Sequence, residues 1–285
     1  MSDKNILVYN KISSLEKSLK EEKDKVLLLK QELVRVNKGI QESTVQIKKD
    51  LFLLQAMQKV LIPDEWNYLS GFKISAKYSS GELGGDYYDI FGSKNSKVFN
   101  IWMSHSSSLA LSALLTAVVL KLSSSSLPDI KIFLSHLYEE LSRVLEEQHA
   151  FDFFYAYLER NTLQLSFAAQ GSMLCFHYRD GVINSLVNCK DPVSLFTPIT
   201  KTQTINLLPK DRLVFCTPGL ALEKNSKNEL FGSQRIIDII KNNLDTHALR
   251  NEIFLSIKNF SDTGEFKNDH SVIILDVKDK ILRLA

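Results

Sequence analysis

Residues 84–91 read Gly-Gly-Asp-Tyr-Tyr-Asp-Ile-Phe. Tyr87–Phe91 is a predicted strand, with the acid Asp86 at its head. Outward from this stretch the apolar pattern keeps a period of two. Upstream, Phe72, Ile74 and Ala76 alternate with polar partners; downstream, Val98–Met103 is a further strand. Ser108–Leu122 and Asp129–Glu147 follow as helices, the second opened by Pro128-Asp129. A long β region comes next: Phe151–Glu159, Leu163–Ala169, Leu174–Tyr178, Val182–Leu186, Thr202–Leu207 and Arg212–Cys216. Asp180-Gly181, between two of these, is a hairpin signal. Helices Gly232–Asn243 and His247–Asn259 precede a last strand, Ser271–Val277. Strands gathered in antiparallel runs, with helices in pairs, predict an α+β fold of two packed sheets covered by helix pairs.

Residues 1–62 follow a different rule. They hold no Pro and a single Gly, Gly39, and the apolar period is seven. Ile12, Leu19, Val26, Leu33, Ile40, Ile47, Leu54 and Leu61 fill successive a positions. The d positions are patchier: Leu15, Leu29, Val36 and Met57 fit, while Glu22, Ser43 and Asp50 do not. A heptad pattern of this length predicts a left-handed coiled coil, and β-branched residues at several a positions favour a parallel dimer. The competing structure is one long helix folded back on its own domain. Pro63 is expected to end the helix. The expected organisation is therefore a helical coiled-coil stalk at 1–62 and a globular domain at 63–285.

Composition narrows the function. The 285 residues are 44% hydrophobic and 24% charged, with a net charge of +2. No nucleic-acid field follows from so even a balance. No run of apolar residues is long enough to predict a membrane span. The N-terminus lacks the apolar core of a secretion signal, and Cys175, Cys189 and Cys216 have no paired spacing, so free thiols in a cytoplasmic protein are expected.

Several short stretches, in order along the chain, carry a resemblance. They are Gly84–Phe91, the Ser112-Ala113-Leu114-Leu115-Thr116-Ala117 helix, Asp211–Gly219, Glu229-Leu230-Phe231-Gly232 and Asn268–Ile274, with Leu54–Pro63 leading in. Together they resemble the PPM-type protein phosphatases of the SpoIIE/RsbU subgroup, over about residues 50–278. The resemblance implies an α-β-β-α sandwich preceded here by the long helix. It also implies two Mg²⁺ or Mn²⁺ ions on a carboxylate cluster between the sheets, activating a water that attacks phosphorus.

Against that pattern the chain departs at most ligand positions. Asp86 matches the first metal ligand. The second should be an Asp after the Val98–Met103 strand, where Met103 or Ser104 stands, and the glycines of that loop are gone. The third is the Asp of a Thr-Asp-Gly triplet, where this chain has Thr217-Pro218-Gly219. The fourth is the first of an Asp-Asp pair, where Asn268 precedes Asp269. Asp86, Ser104, Pro218 and Asn268 are thus degenerate site positions. Losing three carboxylates would leave two divalent cations largely unneutralised. Asp269, Asp89 and Glu82 are the nearby acids, and His105 and His270 adjoin lost positions. Asp86, Asp269, His105 and His270 together are the candidate ligands of a rebuilt single-ion site, although a solvated loop histidine and a bracing Asp89 are the commoner outcomes. Ser104, Ser106, Ser107 and Ser108 read as a hydroxyl-rich helix cap.

The expected function is that of a catalytically impaired SpoIIE/RsbU-like homologue, a regulatory binding module with no cofactor. By resemblance its partner is a phosphorylated STAS-domain protein or a phosphatase paralogue, and the stalk makes it a homodimer. Two rivals are an active Mn- or Mg-dependent serine/threonine phosphatase acting on an anti-sigma-factor antagonist, and a purely structural coiled-coil protein. Neither nucleic acid nor membrane is an expected partner.

Overall fold

The computed structural model describes residues 3–62, 69–81, 85–92, 96–106, 110–123, 130–143, 150–187, 193–194, 202–242, 245–261 and 266–279. Pro63, Glu82, Ser107, Ser108, Pro128, Asp129 and Cys189 of the sequence reading lie outside these. The chain divides into two compact units, Met1–Phe52 and Leu53–Ala285.

Helix α1, Asp3–Leu61, is 59 residues long. Every described side chain from Val8 to Asp50 is exposed. The a residues Ile12, Leu19, Val26, Leu33, Ile40 and Ile47 are between 48% and 65% exposed, so the apolar seam faces solvent in the single chain. At the end of the helix Ile62 joins the core of the second unit, and Leu61 packs against it.

The second unit is a four-layer α-β-β-α sandwich. One sheet has the order β1-β11-β10-β6-β7, formed by Phe72–Ser79, His270–Val277, Arg212–Cys216, Leu174–Arg179 and Val182–Ser185. The other has the order β2-β3-β4-β5-β9, formed by Asp86–Phe91, Val98–Ser106, Ala150–Glu159, Gln164–Gln170 and Gln203–Asn206, with a short β8, Val193–Ser194, paired to β4. All the pairings are antiparallel. Helices α2, Ala110–Ser123, and α3, Ile130–Ser142, cover the β2–β5 sheet; α5, Gly232–Lys241, and α6, Thr246–Phe260, cover the other. Neither β8 nor the four-residue α4, Gly219–Leu222, was legible as periodicity.

Period two sorts the core. Leu213, Phe215, Ile273 and Leu275 face the opposite sheet, while Val214, Cys216, Val272 and Ile274 face the helices. Because both faces of β10 and β11 are buried, their sequences run apolar without alternation. Aromatic rings fill the space: Phe154 meets Phe215 across the sheets at 4.6 Å between centroids, and Phe133 of α3 stacks on Tyr155 at 4.4 Å. The β6–β7 turn places Asp180 at φ 48° and Gly181 at φ 83°. Positive φ at both central residues is what a type I′ hairpin requires, which is why Asp-Gly marks it in sequence.

Candidate functional site

The pairing register assembles a row of polar side chains at one end of the β2–β5 sheet. Asp86 of β2 pairs with His105 of β3, which pairs with Asp152 of β4. Strand β3 runs to Ser106, past the predicted end at Met103, and so carries His105 into this row. All three side chains share the face that carries Phe154, so they point between the sheets. Gly85 makes the row possible. It has φ +134°, its carbonyl accepts from the Ser106 N–H at 2.9 Å, and a methyl group on it would collide with the Ser106 carbonyl.

The opposite sheet closes on the row. Thr217 lies just past β10, Asp269 just before β11, and Tyr78 near the end of β1. Asp86 is fully buried. Its Oδ2 accepts from the Thr217 hydroxyl at 2.5 Å, and its Oδ1 accepts from the His105 Nδ1–H at 2.7 Å. The Thr217 Oγ1 in turn accepts from the Ser271 N–H at 3.0 Å. Asp269 Oδ2 accepts from the Asp86 N–H at 3.1 Å and the Tyr78 hydroxyl at 3.0 Å, and its Oδ1 accepts from the Gly81 N–H at 2.7 Å. Behind it, Gly219 packs so tightly on the Asp269 carbonyl that a side chain there would collide with it.

Charge crowding shifts the titrations. Burial, then the neighbouring Asp86 charge, pushes the Asp269 carboxyl up to about 6 against its three donors. Burial would lower the His105 pKa, but its hydrogen bond to Asp86 and the charges of Asp86, Asp152 and Asp269 outweigh this and raise it. Burial raises Asp152 as well, opposed by the Ser172 N–H and by His105. For Asp269 and His105 the folded state therefore holds the proton more tightly than the unfolded chain. The contribution of Asp269 is present below its ordinary value of 3.8 and is lost as pH rises through about 6. That of His105 is present below its ordinary 6.5 and is lost as pH rises through its folded value. Thermal midpoints measured from about pH 5 to pH 8 are expected to fall with pH more steeply in the wild type than in Asp269→Asn. Equal slopes would contradict this assignment.

Of the sequence candidates, Asp86, Asp269 and His105 come together. Ser104 does not. It sits one residue out of phase on β3, accepts from the Trp102 indole N–H at 3.0 Å, and faces the helix layer. Asn268 and His270 turn to the other helix layer, where both donate to Glu223 Oε2, at 3.3 and 3.1 Å. Pro218 precedes α4. Asp89 faces away from the cluster and ties β2 to α2 through Lys121 at 3.0 Å; the loop it was expected to brace lies outside the described residues. Thr217, Asp152, Tyr78 and Glu223 were not anticipated. Asp152 had a signal, a lone acid in the apolar run Phe151–Tyr155; Tyr78 had none.

Two antiparallel sheets between helix pairs, with carboxylates gathered between the strand ends, define the PPM-type phosphatase architecture. The chain belongs to the Stage II sporulation protein E (SpoIIE) family, whose sequence model matches residues 104–278. The SiaA-PP2C domain of Pseudomonas aeruginosa superposes with a TM-score of 0.69 at 14% identity, covering 82% of this chain and 98% of that one. The RsbU and RsbW domains of Rv1364c from Mycobacterium tuberculosis give 0.62 at 12% identity, covering 78% of this chain and 64% of that one. The catalytic domain of the serine threonine protein phosphatase PstP, in complex with 2 manganese ions, gives 0.52 at 11% identity, covering 73% and 99%. No curated protein sequence matches the chain significantly.

The donor set here does not fit a pair of such ions. Both oxygens of Asp86 and both of Asp269 already accept hydrogen bonds from protein donors. Among the described residues no three His, Cys, Asp or Glu side chains are grouped to hold a metal ion. Nor is any helix among them long and apolar enough to cross a membrane.

Proposed function

We propose that this protein is a catalytically impaired SpoIIE/RsbU-like phosphatase homologue that acts as a regulatory binding module in partner-switching signalling. Residues 63–285 form the recognition domain, and residues 1–62 pair two copies as a coiled coil. The partner is a protein: a phosphorylated STAS-domain protein, or an active phosphatase paralogue. The observation that carries this reading is the engagement of Asp86. A carboxylate whose two oxygens accept from His105 and Thr217 is held by protein donors, and it lacks the further converging anionic oxygens that a divalent cation needs. Three of the positions matching the family's ligands hold Ser104, Pro218 and Asn268, none of which carries charge. Preservation of the sandwich around such a centre suits a surface that docks rather than one that hydrolyses.

Calorimetric titration with Mn²⁺, paired with hydrolysis of an aryl phosphate, tests this. The expected result is no saturable Mn²⁺ binding in the micromolar range and no turnover. Binding of a purified STAS-domain protein that depends on its phosphorylation would support the recognition role. Turnover that needs Mn²⁺ or Mg²⁺ and disappears in Asp86→Ala would overturn the proposal in favour of an active phosphatase.

A further inference from the structure

Each sheet ends at this pole of the sandwich in an edge strand, β1 in one and β2 in the other. Edge strands are where a sandwich most readily opens, because each has a hydrogen-bonding neighbour on one side only. Here the two edges are joined through Asp86. Its carboxylate belongs to β2, while Thr217 and Asp269 come from the opposite sheet, next to β10 and β11. Thr217 donates to the carboxylate and receives a hydrogen bond from the Ser271 N–H of β11. The Asp86 N–H donates to Asp269, which is itself held by Tyr78 of β1 and by the Gly81 N–H. Residues of β1, β2, β3 and β11, with the turn after β10, thus share one continuous hydrogen-bonded network. His105 lies on the solvent side of it, its side chain 16% exposed, against a fully buried Asp86 side chain.

We propose that this cluster is a metal-independent clasp between the two sheets, in which Thr217 and His105 serve as built-in donors to Asp86. The inference rests on the preceding one in a single respect: that Asp86 holds no divalent cation. It adds a role that the loss of catalysis does not require, since a vacated acidic centre need hold nothing together. The two possibilities predict opposite signs. In a vacated centre, Asp86→Asn removes one of three carboxylates that face the same space and relieves repulsion, so the thermal midpoint rises. In a clasp, the same change replaces an acceptor of two hydrogen bonds by an amide that cannot accept from both His105 and Thr217, so the midpoint falls.

The test is thermal unfolding of the full-length chain as wild type, Asp86→Asn, Thr217→Val and the double variant, each with Mn²⁺, with Mg²⁺ and with a chelator. The expected result is a wild-type midpoint that neither ion raises and the chelator does not lower. Each single variant is expected to fall by about 4 °C or more, and the double variant by clearly less than the sum, because both remove the same contact. Thr217→Val keeps its shape and remains informative if Asp86→Asn does not fold. A rise in midpoint for Asp86→Asn, a rise of the wild type with Mn²⁺, or additive losses would each overturn the clasp. Phosphatase turnover would instead sink the impaired-enzyme reading, so additive losses without turnover leave that reading standing and remove only the clasp.

Discussion

Phe154→Ala is expected to destabilise the globular unit by about 3–5 kcal/mol, the range for deleting a fully buried aromatic side chain. Phe154 is fully buried between the sheets. Its ring lies 4.6 Å from Phe215 of the opposite sheet and 5.6 Å from Phe167 of the neighbouring strand, measured between centroids. Both the lost burial and the cavity left between two hydrogen-bonded sheets contribute, since neither sheet can close the gap without breaking its own ladder. For a unit of this size the thermal midpoint should drop by roughly 10 °C, taking about 2–4 °C per kcal/mol. Urea unfolding followed by tryptophan fluorescence measures the loss, because Trp102 is buried and stacked on Phe153 at 5.4 Å. A loss below about 1 kcal/mol would mean that the inter-sheet rings do not carry the core.

The second large effect concerns assembly. Wild-type protein is expected to run as a dimer by light scattering, and the triple variant Leu19→Glu, Val26→Glu, Leu33→Glu as a monomer. These side chains are 57%, 48% and 61% exposed in the single chain, and they lie on one seam at heptad spacing. Burying each in a paired helix contributes about 1.5–3 kcal/mol per copy, so removing six across a dimer takes away on the order of 10 kcal/mol. Glutamates facing glutamates across the seam add repulsion. The globular unit should keep its thermal midpoint, since its core includes none of the three residues. A triple variant that stays dimeric would place the assembly contact elsewhere.

How much of this was legible before folding depends on what kind of information a residue carries. The helix α1, the β-rich middle, the Asp180-Gly181 hairpin and the closing strand announced themselves by period, turn chemistry or both, because those are local properties of the chain. The match of Gly84–Phe91 and Asn268–Ile274 to the PPM pattern was also local, and it pointed to Asp86 and Asp269, which meet in the structure. Strand phase was not legible. Whether Ser104 or His105 looks between the sheets turns on where β3 begins to pair, and a shift of one residue exchanges the two faces. The same applies to Asn268 and His270, which flank Asp269 and look the other way towards Glu223.

The amino-acid sequence by itself determined that this chain has a heptad helix followed by an α+β domain, because composition and periodicity need no partner to be read; the ordered motifs added the resemblance to the PPM phosphatases and, through it, three matched positions without a carboxylate. Only the tertiary structure decided what became of the remaining acid. Asp86 meets Thr217 and Asp269 across more than 130 residues of chain, through strands that pair antiparallel in two separate sheets, and its oxygens are spoken for by groups that no spacing along the chain brings near it.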